Sequence, residues 1–443
     1  MRFYNLYASC PVFIQNIICS VKGFLLKKER INSSFYSYLE QYNNTFTFSD
    51  EELLEFQRNQ LYKLFLNATK SKFWRERMSL NNINLDSKND IIKELKKLPI
   101  LTKDEVLFNC DSFLTQRKEN LNKVQTGGTT GKGLIFWETD ESLNKQWAVW
   151  WRYRNKLGID LNTWCGWFGG KEVVPSKKNE KVFFRINYFG KQIMFSPFHL
   201  SKKNAANYCR VINRRKLKWL HGYPSQLSLL ASFMIELNIE SPKSVKIVTI
   251  GSENITKKQK SIIEKAFDAK VYQHYGLAEK VANISENLDG ILLQDSDFSY
   301  LEFIHLEENR YRLIGTNFSN IAFPLIRYDT GDVVKLDNSG KIIEIEGRIS
   351  DYATLPNGNR FGPMNLIFKV LSNVIESQLF IKSENEFIFR IVKADNYNSV
   401  KEEYKLLKEI QKRNTDSTIS FSFLYLDKLP RTKSGKLKSI TYE

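Results

Sequence analysis

The sequence lacks the signatures of a disulfide-stapled, metal-stapled or repeat protein. Its 443 residues contain five cysteines, none of them in a CxxC pair or at a spacing typical of a zinc site or a disulfide framework. We therefore expect a reducing, cytosolic compartment. Repeats and low-complexity tracts are also missing, and 42% of the residues are hydrophobic. This length and composition predict an ordered globular chain of two or three domains.

A clean membrane-spanning segment is also absent from the sequence. The most apolar run, residues 8–26, is interrupted by polar residues, a proline and a glycine: Pro11, Gln15, Asn16, Lys22 and Gly23. It falls short of the ~20 predominantly apolar residues that a span needs. We expect a docked or interfacial helix in this region in place of a signal peptide.

Acidic residues are in deficit, with 49 against 66 lysines and arginines, which gives a formal charge of +17. Such an excess is compatible with a nucleic acid, an anionic membrane surface or an anionic small substrate as partner. The lysines are spread along the chain and form no concentrated patch. The distribution favours a solvated basic surface, and we expect no nucleic-acid partner.

The order of periodic segments predicts an α/β fold. The first hundred residues have helical spacing, as in residues 50–67, and residues 140–157 predict a further helix. Helical and strand-like segments alternate from 201 to 273, which is typical of a parallel sheet with crossovers. Short strands and turns follow up to residue 345.

The final segment mixes short strands with a helix around residues 400–412, as a small α+β domain would. We place the domain boundary at 350/351. The predicted fold class is α/β, with a large N-terminal domain (1–350) of mostly parallel sheets plus a β-rich subdomain. A small, mobile α+β domain (351–443) would follow it.

The first motif with chemical potential is a glycine-threonine segment, Thr126-Gly127-Gly128-Thr129-Thr130-Gly131-Lys132-Gly133. Glycines allow the backbone to approach a phosphate, and exposed N–H groups and threonine hydroxyls donate to its oxygens. The segment is not a Walker P-loop, because that motif needs glycine at 126 and serine or threonine at 133. A plain glycine-rich turn is the alternative interpretation.

Two further motifs follow, and the first of them is accompanied by a loop upstream at the same predicted sheet edge. His274-Tyr275-Gly276-Leu277-Ala278-Glu279 and Gly251-Ser252-Glu253 belong at the carboxyl edge of the sheet, where ligands collect in open α/β folds. A tyrosine can stack on a purine, and a glutamate can hold Mg²⁺ against phosphates. The acidic turn 327–332 suits a ribose, although a structural turn would explain it equally well.

Two basic segments complete the set. Gly347-Arg348-Ile349-Ser350-Asp351 lies where the composition changes, and Pro430-Arg431-Thr432-Lys433-Ser434-Gly435-Lys436 lies near the C-terminus. A lysine on a mobile loop can stabilise the charge that develops on a phosphorus centre. A solvated basic tail is the plainer interpretation of the second segment.

In this order, the five motifs between about 124 and 436 resemble the adenylate-forming superfamily of acyl-CoA synthetases, peptide-synthetase adenylation domains and luciferases. Within it, the chain is most similar to the phenylacetate-CoA ligase-like branch, and especially to members linked to capsule and other surface-polysaccharide synthesis. The narrower likeness depends on residues 11–16, 168–170, 199–201 and 221–225.

The resemblance implies ATP and Mg²⁺ as ligands, with residue roles carried over from the family pattern. Binding of the ATP phosphates is implied for Thr126, Gly127, Gly128, Thr129, Thr130, Gly131 and Lys132, with Thr129 also acting in catalysis. Ser252 and Glu253 would lie at the adenine edge, and Tyr275 and Gly276 at the adenine face. Glu279 would bind Mg²⁺, Asp332 and Arg348 the ribose, and Lys436 would stabilise the adenylation transition state.

Two departures from the family pattern concern the second half-reaction. The family hinge two residues after the arginine is here Ser350, with an acidic residue only at Asp351. The glycine-bearing segment that lines the pantetheine tunnel in thioester-forming members appears only as residues 355–360. CoA is therefore kept only as an alternative acceptor.

The acid itself is least defined by the sequence. Trp167, His199, His221 and Tyr223 flank the motif loops and are candidates for the acid pocket, although such residues are more often part of the core. We expect a polar or anionic acid, activated as its adenylate and passed to an amine or thiol during surface-polysaccharide assembly. Alternatives are an aryl- or acyl-CoA ligase and a non-catalytic scaffold of this fold at the inner face of the membrane.

Overall fold

The computed structural model describes residues 2–126, 133–175, 181–348, 352–362, 364–394, 396–432 and 435–443. Its α-helices are α1 Arg2–Ser9, α2 Val12–Arg30, α3 Ser33–Thr45, α4 Asp50–Ala68, α5 Lys72–Leu80, α6 Ile91–Lys97, α7 Lys103–Phe108, α8 Asp140–Lys156, α9 Ala205–Arg214, α10 Pro224–Glu236, α11 Lys257–Phe267, α12 Met364–Lys369 and α13 Ser399–Arg413. Short 3₁₀ helices cover Lys88–Asp90, Cys110–Phe113 and Lys118–Asn120.

The strands are β1 Asn122–Gln125, β2 Ile135–Glu138, β3 Cys165–Phe168, β4 Phe184–Asn187, β5 Gln192–Phe195, β6 Trp219–Gly222, β7 Ile247–Ile250, β8 Lys270–Gly276, β9 Asn283–Glu286, β10 Leu292–Gln294, β11 Ser299–Glu307, β12 Arg310–Asn317, β13 Tyr328–Leu336, β14 Ile342–Arg348, β15 Ala353–Thr354, β16 Arg360–Phe361, β17 Val374–Ser383, β18 Glu386–Lys393, β19 Ser420–Tyr425 and β20 Ile440–Tyr442. Helices and strands alternate from α9 to β8, as the sequence predicts for residues 201–273.

The chain forms two compact units, each built from separate stretches of sequence. The first unit combines Met1–Phe24, Leu161–Gln273 and Glu346–Glu443, and the second combines Leu25–Asp160 and His274–Ile345. The predicted boundary at 350/351 falls within 349–351, which lies outside the described residues. The division at this point therefore remains a prediction.

The first unit contains a sheet in the order β4-β5-β3-β6-β7-β8. Strands β5, β3, β6, β7 and β8 run parallel, and β4 pairs antiparallel with β5. Leu220, Val248 and Val271 of successive strands are buried in one cluster with residues of α9, α10 and α11. The three helices thus cover one face of the sheet, and the parallel strands align their carboxyl ends along one edge.

The C-terminal segment of the first unit has its own sheet, in the order β19-β18-β17-β20. Leu379 and Phe389 of this sheet are buried with Leu406 and Ile410 of α13. Alternating apolar residues along β17 and β18 place one face of the sheet against the helix. The predicted α+β character of this segment is confirmed.

The second unit combines helices with a β-rich part. Strands β11, β12, β13 and β14 form a sheet in that order, with β11 and β12 and then β12 and β13 antiparallel. The last residues of β8 pair antiparallel with β9, which pairs with β10. A separate core packs α4, α5 and α6 around Trp74, Phe113 and Phe323, all buried.

Local signals explain several helix boundaries. The Ser49 hydroxyl accepts from the Glu52 N–H, and the Glu52 carboxylate accepts from the Ser49 N–H, so that a capping box begins α4. Thr102 and Thr256 begin α7 and α11 in the same way. Within the described residues, no helix combines the length and the apolar character that crossing a membrane requires.

Candidate functional site

The loops that follow β3, β6 and β7 share one edge of the sheet in the first unit. Strands β3 and β6 pair in parallel register from Cys165 opposite Trp219 to Phe168 opposite Gly222, and β6 pairs with β7 in the same sense. A Cβ added at Gly222 would lie 2.3 Å from the Phe168 carbonyl oxygen. Glycine at this position therefore lets the two strands end side by side, at the edge where open parallel sheets bind ligands.

Glu253 lies in the loop after β7 and makes two backbone contacts. Its carboxylate accepts from the Ser225 N–H and from the Leu437 N–H, each at 3.2 Å. Burial raises its pKa, while hydrogen bonds from Ser225 and the nearby Arg431 act in the opposite direction. Glu253 was predicted at an adenine edge together with Ser252, which has a positive φ of 66°. In this structure, the Glu253 carboxylate joins the start of α10 to the segment that carries the predicted catalytic lysine.

Lys436 projects from a tight turn. The Lys436 N–H donates to the Thr432 hydroxyl at 3.0 Å, and the Thr432 N–H donates to the Lys436 carbonyl at 3.0 Å. Gly435 closes the turn with φ +74°, in the left-handed region that favours glycine. Residues 433 and 434 of this motif lie outside the described residues.

The ammonium group of Lys436 lies 5.6 Å from the centroid of the Tyr223 ring. Burial lowers the pKa of Lys436, and the charge of Arg348 also lowers it, whereas Glu253 raises it. Four residues predicted for the site, Lys436, Glu253, Arg348 and Tyr223, therefore belong to one neighbourhood of the first unit. A partly desolvated cation there is suited to binding an anionic oxygen.

Arg431 anchors the lysine turn to the rest of the first unit. Its guanidinium donates to the Ser225 hydroxyl at 2.9 Å and forms an ion pair with Glu376 of β17. When the Gln226 amide is assigned in the orientation that satisfies both of its polar atoms, its oxygen accepts from Nε at 3.2 Å and from Nη1 at 2.8 Å. Burial raises the pKa of Glu376, and Arg431 opposes this shift. The sequence includes Arg431 in a motif, but its partners were not predicted.

The predicted acid-pocket residues divide into two groups. Trp167 and His221 are register partners on β3 and β6, and His221 is the register partner of Thr249 on β7. Register partners point to the same side of a sheet, so these side chains form a row on the face opposite α9, α10 and α11. The His221 Nδ1 lies 2.9 Å from the Thr249 hydroxyl.

His199 has a different environment from that row. Its Nδ1 lies 2.8 Å from the Ser196 hydroxyl, and its ring lies 5.6 Å from the ring of Phe183. These contacts are typical of a histidine that supports a loop. Tyr223, in contrast, begins α10 at the sheet edge, and burial raises its pKa.

In the second unit, two predicted nucleotide ligands contact each other. The Tyr275 hydroxyl donates to the Asp332 carboxylate at 2.6 Å. Asp332 is buried on β13, where its N–H donates to the Thr330 hydroxyl at 3.1 Å. Tyr275 belongs to β8, and the hydrogen bond fixes the direction of its ring. The two side chains are therefore neighbours in the structure, and their roles toward adenine and ribose remain predictions.

A buried polar network holds the residue before Tyr275. His274 Nε2 lies 2.9 Å from the Asn283 amide oxygen, and Trp150 Nε1 donates to the same oxygen at 3.1 Å. Burial lowers the pKa of His274 to about 3, and the charge of Arg154 also lowers it. The imidazole is therefore neutral at physiological pH.

The network continues from Asn283 to a buried arginine. The Asn283 amide donates to Asp295 at 2.6 Å, and Arg152 of α8 donates to Asp295 at 2.7 Å. Arg152 also binds Asp297, and the Thr45 hydroxyl donates to Asp297. The sequence predicts burial of this aromatic-rich helix face, but not the ion cluster.

Glu279, the predicted Mg²⁺ ligand, is almost buried and lies in the turn after β8. Its neighbour Lys280 forms a buried ion pair with Glu138, the last residue of β2. Within the ranges that the structure describes, no group of three or more His, Cys, Asp or Glu side chains is placed to hold a metal ion. Glu279 alone suits a Mg²⁺ whose other ligands come from phosphate oxygens and water, since this ion keeps several waters and binds few protein carboxylates.

The glycine-threonine segment joins β1 and β2 of an antiparallel hairpin. The Thr126 N–H donates to the Leu134 carbonyl, and the Leu134 N–H donates to the Thr126 hydroxyl, both at 2.9 Å. The remaining residues predicted for the phosphates, Gly127, Gly128, Thr129, Thr130, Gly131 and Lys132, lie outside the described residues. Gly276 ends β8, where an added Cβ would lie 3.0 Å from Asn283.

Comparison with known proteins identifies relatives of this chain in sequence and in fold. Residues 357–443 match the model of the CapK C-terminal domain. The crystal structure of a 2-hydroxyisobutyryl-CoA ligase in the postadenylation state, in complex with R3-HIB-AMP, has a TM-score of 0.61 at 14% identity, over 87% of this chain and 89% of the ligase. The same ligase in complex with 2-HIB-AMP and CoA, in the thioesterification state, has a TM-score of 0.51 at 15% identity, over the same shares.

Similarity in sequence extends over nearly the whole chain. Protein CapK of Staphylococcus aureus is 30% identical over 449 residues, which cover 97% of this chain and 97% of that protein. The structural similarity to the ligases, at low sequence identity, establishes the fold alone. The CapK match establishes the family. The chain therefore belongs to the CapK family and has the fold of the adenylate-forming CoA ligases.

Proposed function

We propose that the protein activates a carboxylic acid with ATP, forming an acyl-adenylate and releasing pyrophosphate. The observation that carries this proposal is the lysine turn, in which Lys436 lies beside Tyr223 and near Glu253 at the carboxyl edge of the parallel sheet. A cation held in a half-buried position at that edge is suited to stabilising charge on phosphate oxygens. Family membership and the ligase fold support the same chemistry.

In the proposed first step, a carboxylate oxygen of the acid attacks the α-phosphorus of ATP. The new bond is a mixed anhydride, and the bond between the α-phosphorus and the bridging oxygen breaks, with its electron pair leaving on pyrophosphate. The protein supplies position and charge, since such transfers need little covalent catalysis. Lys436 would stabilise the developing negative charge.

The other proposed roles follow the residues of each unit. Tyr275 would face adenine, and ribose binding is proposed for Asp332 and for Arg348 from the family pattern. Glu279 would hold Mg²⁺, which neutralises phosphate charge when bound. The phosphate loop from Thr126 to Lys132, including Thr129, and the adenine-edge roles of Ser252 and Glu253 are proposed from the family pattern.

The proposed second step transfers the acyl group to an amine or thiol. A C-terminal domain from residue 351 would withdraw Lys436, with Ser350 or Asp351 as the hinge. Residues 355–359 form the turn between β15 and β16, and the Asn357 N–H donates to Asp416 at 3.1 Å. An acceptor other than CoA is proposed because residues 355–360 depart from the glycine-bearing tunnel segment of the family pattern. An aryl- or acyl-CoA ligase is the alternative.

The proposed biological setting is surface-polysaccharide synthesis in the cytoplasm, at the inner face of the membrane. The name of the related protein CapK and the family likeness support this setting. A polar or anionic acid, such as a uronic or amino acid, is the proposed substrate, with Trp167 and His221 as candidates for its pocket. Tyr223 and His199 remain candidates for the same pocket.

The deciding experiment measures acid-dependent pyrophosphate release, together with hydroxamate formation, using fatty, aryl, amino and uronic acids. We expect turnover with a polar or anionic acid and a requirement for Mg²⁺. Turnover with an aryl acid and CoA would favour the CoA-ligase alternative. If no acid gives turnover and ATP fails to bind in calorimetry, the enzyme assignment is wrong and the scaffold alternative stands.

A further inference from the structure

Helix α2 presents a stripe of large apolar side chains to solvent. Phe13, Ile17, Val21 and Phe24 are 63, 56, 52 and 47% exposed. Their spacing of four, four and three residues places them on one side of the helix. A surface helix of a globular protein normally buries such a stripe.

The side of α2 that contacts the protein is polar instead. Gln15 and Ser20 are buried, and the Gln15 amide oxygen accepts from Arg185 at 2.5 Å. The Ser20 hydroxyl donates to the Ile186 carbonyl at 3.1 Å, next to Gly23, where an added Cβ would overlap Asn187. The helix is therefore attached to β4 through its polar side, and its apolar side faces solvent. This is the reverse of the usual orientation of an amphipathic surface helix.

Further aromatic side chains extend the stripe, which we call the α2 apolar face and define as Phe13, Ile17, Val21, Phe24 and Phe189. Phe24 meets Phe189 edge to face with ring centroids 5.1 Å apart, and Phe189 is itself exposed. The neighbouring Tyr188 is also exposed. Large exposed apolar surfaces of this kind mark interaction sites.

The N-terminal segment that carries most of this face is basic in sequence up to Glu29. Residues 1–28 contain no Asp or Glu and four basic residues: Arg2, Lys22, Lys27 and Lys28. Lys22 is exposed and adjoins Val21 along the helix. Two copies of the chain that met through this face would bring like charges together, which is unfavourable. The charge therefore fits an anionic partner.

We propose that the α2 apolar face docks the protein on an anionic lipid surface. Phe13, Ile17 and Phe24 would enter the boundary between headgroups and acyl chains, while lysines contact headgroup phosphates. Lysine stems can lie along the apolar layer with the ammonium groups at its surface. This inference makes the proposed location specific and does not depend on the proposed chemistry.

The test is flotation of the full chain with phosphatidylcholine vesicles, with or without an equal amount of phosphatidylglycerol. We expect binding to the anionic vesicles that weakens as salt is raised. The variant F13Q/I17Q/V21Q should bind roughly a hundredfold more weakly, because three exposed apolar side chains are lost. The matched control L80Q/F108Q removes two exposed apolar side chains elsewhere and should bind like the wild type.

A charge variant separates the two parts of the proposal. Lys22→Glu should weaken binding to the anionic vesicles and leave the circular dichroism spectrum unchanged. Because this variant is expected to remain folded, it still tests the proposal if the triple variant fails to fold. Equal binding by the wild type and all variants would overturn the proposal, as would no binding to either vesicle. A wild-type dimer in ultracentrifugation that becomes monomeric in the triple variant, without vesicle binding, would overturn it in favour of a second copy. Acid-dependent pyrophosphate release in detergent-free buffer should be unchanged by the triple variant.

Discussion

Two buried arginines have similar partners and different positions in the molecule. Arg152, in the second unit, is 2% exposed and binds two carboxylates, those of Asp295 and Asp297. Arg431, in the first unit, lies between Glu376 and Glu253, with Glu376 as its ion-pair partner. Each cluster compensates two buried acidic groups with one guanidinium, whose planar fork suits such sites.

The two clusters differ in the structural elements that they connect. The Arg152 cluster joins α3, α8 and the segment after β10, and reaches His274 through Asn283. The Arg431 cluster fixes a surface turn that ends at Lys436. A buried ion pair is weak evidence for stability by itself, so its effect depends on which elements it connects. We infer that the first cluster serves the scaffold and the second serves the chemistry.

The largest effect on stability is expected for Arg152→Met. The variant leaves Asp295 and Asp297 buried without a counter-charge, which should lower the free energy of unfolding by about 3–5 kcal/mol. Denaturant unfolding followed by tryptophan fluorescence measures this change. The control Lys93→Met removes an exposed ion pair with Asp90 and should leave the midpoint unchanged. An unchanged midpoint for Arg152→Met would contradict the scaffold role.

The next effect is on catalysis. Lys436→Ala should reduce acid-dependent pyrophosphate release by roughly 10²- to 10³-fold, the usual cost of removing one preorganised charge. The unfolding midpoint should remain that of the wild type, because this ammonium group makes few structural contacts. Lys428→Ala, an exposed lysine near the same turn, is the matched control. Comparable turnover in both variants would refute the role of Lys436.

A smaller effect is expected for Arg431→Met, which would loosen the lysine turn. We expect the kcat of adenylation to fall about tenfold and the KM for ATP to change little. The variant disturbs the position of Lys436 without removing a group that binds ATP. Arg431→Lys keeps the charge without the fork and should recover part of the activity.

A double variant tests whether Arg431 acts through the lysine. Arg431→Met combined with Lys436→Ala should be no slower than Lys436→Ala alone, because coupled residues are not additive. Full additivity of the two losses would contradict the positioning role. A scaffold role like that of Arg152 would instead lower the unfolding midpoint without a selective change in kcat.

Local pattern predicted much of the fold, as particular helices illustrate. Residues 50–67 were predicted as a helix, and α4 covers Asp50–Ala68, because periodicity and the capping serine act within a few residues. The alternating segments were predicted to begin at residue 201, and their first helix, α9, begins at Ala205, where the cap residue Asn204 makes no side-chain cap bond. Boundaries without a cap signal are the least determined by sequence.

The ion clusters were not predictable because their partners are distant in sequence. Arg431 and Glu376 are 55 residues apart, and Arg152 and Asp295 are 143 apart. No periodicity marks such pairs. The sequence alone does not distinguish an arginine or carboxylate that pairs in the interior from one that is exposed to solvent. Lys436, Tyr275 and Asp332 were predicted as site residues only because they occur in ordered motifs, and the motif that includes Arg431 was the one available signal for that residue.

The smallest expected effect at neutral pH is that of His274, which appears only as the pH is lowered and tests how far the Arg152 network reaches. The pKa of His274 is lowered from 6.5 to about 3. Between these two pH values, this histidine is protonated in the unfolded chain and neutral in the folded chain. The stability from this group is present above pH 6.5 and is lost as the pH falls towards 3, by up to about 1.4 kcal/mol per pH unit. His274→Gln keeps an amide donor for Asn283 and removes the titrating group. Denaturant unfolding at successive pH values below 6.5 should show that the free energy of unfolding falls less steeply in this variant than in the wild type. Equal slopes in the two proteins would mean that His274 is accessible to protons in the native state.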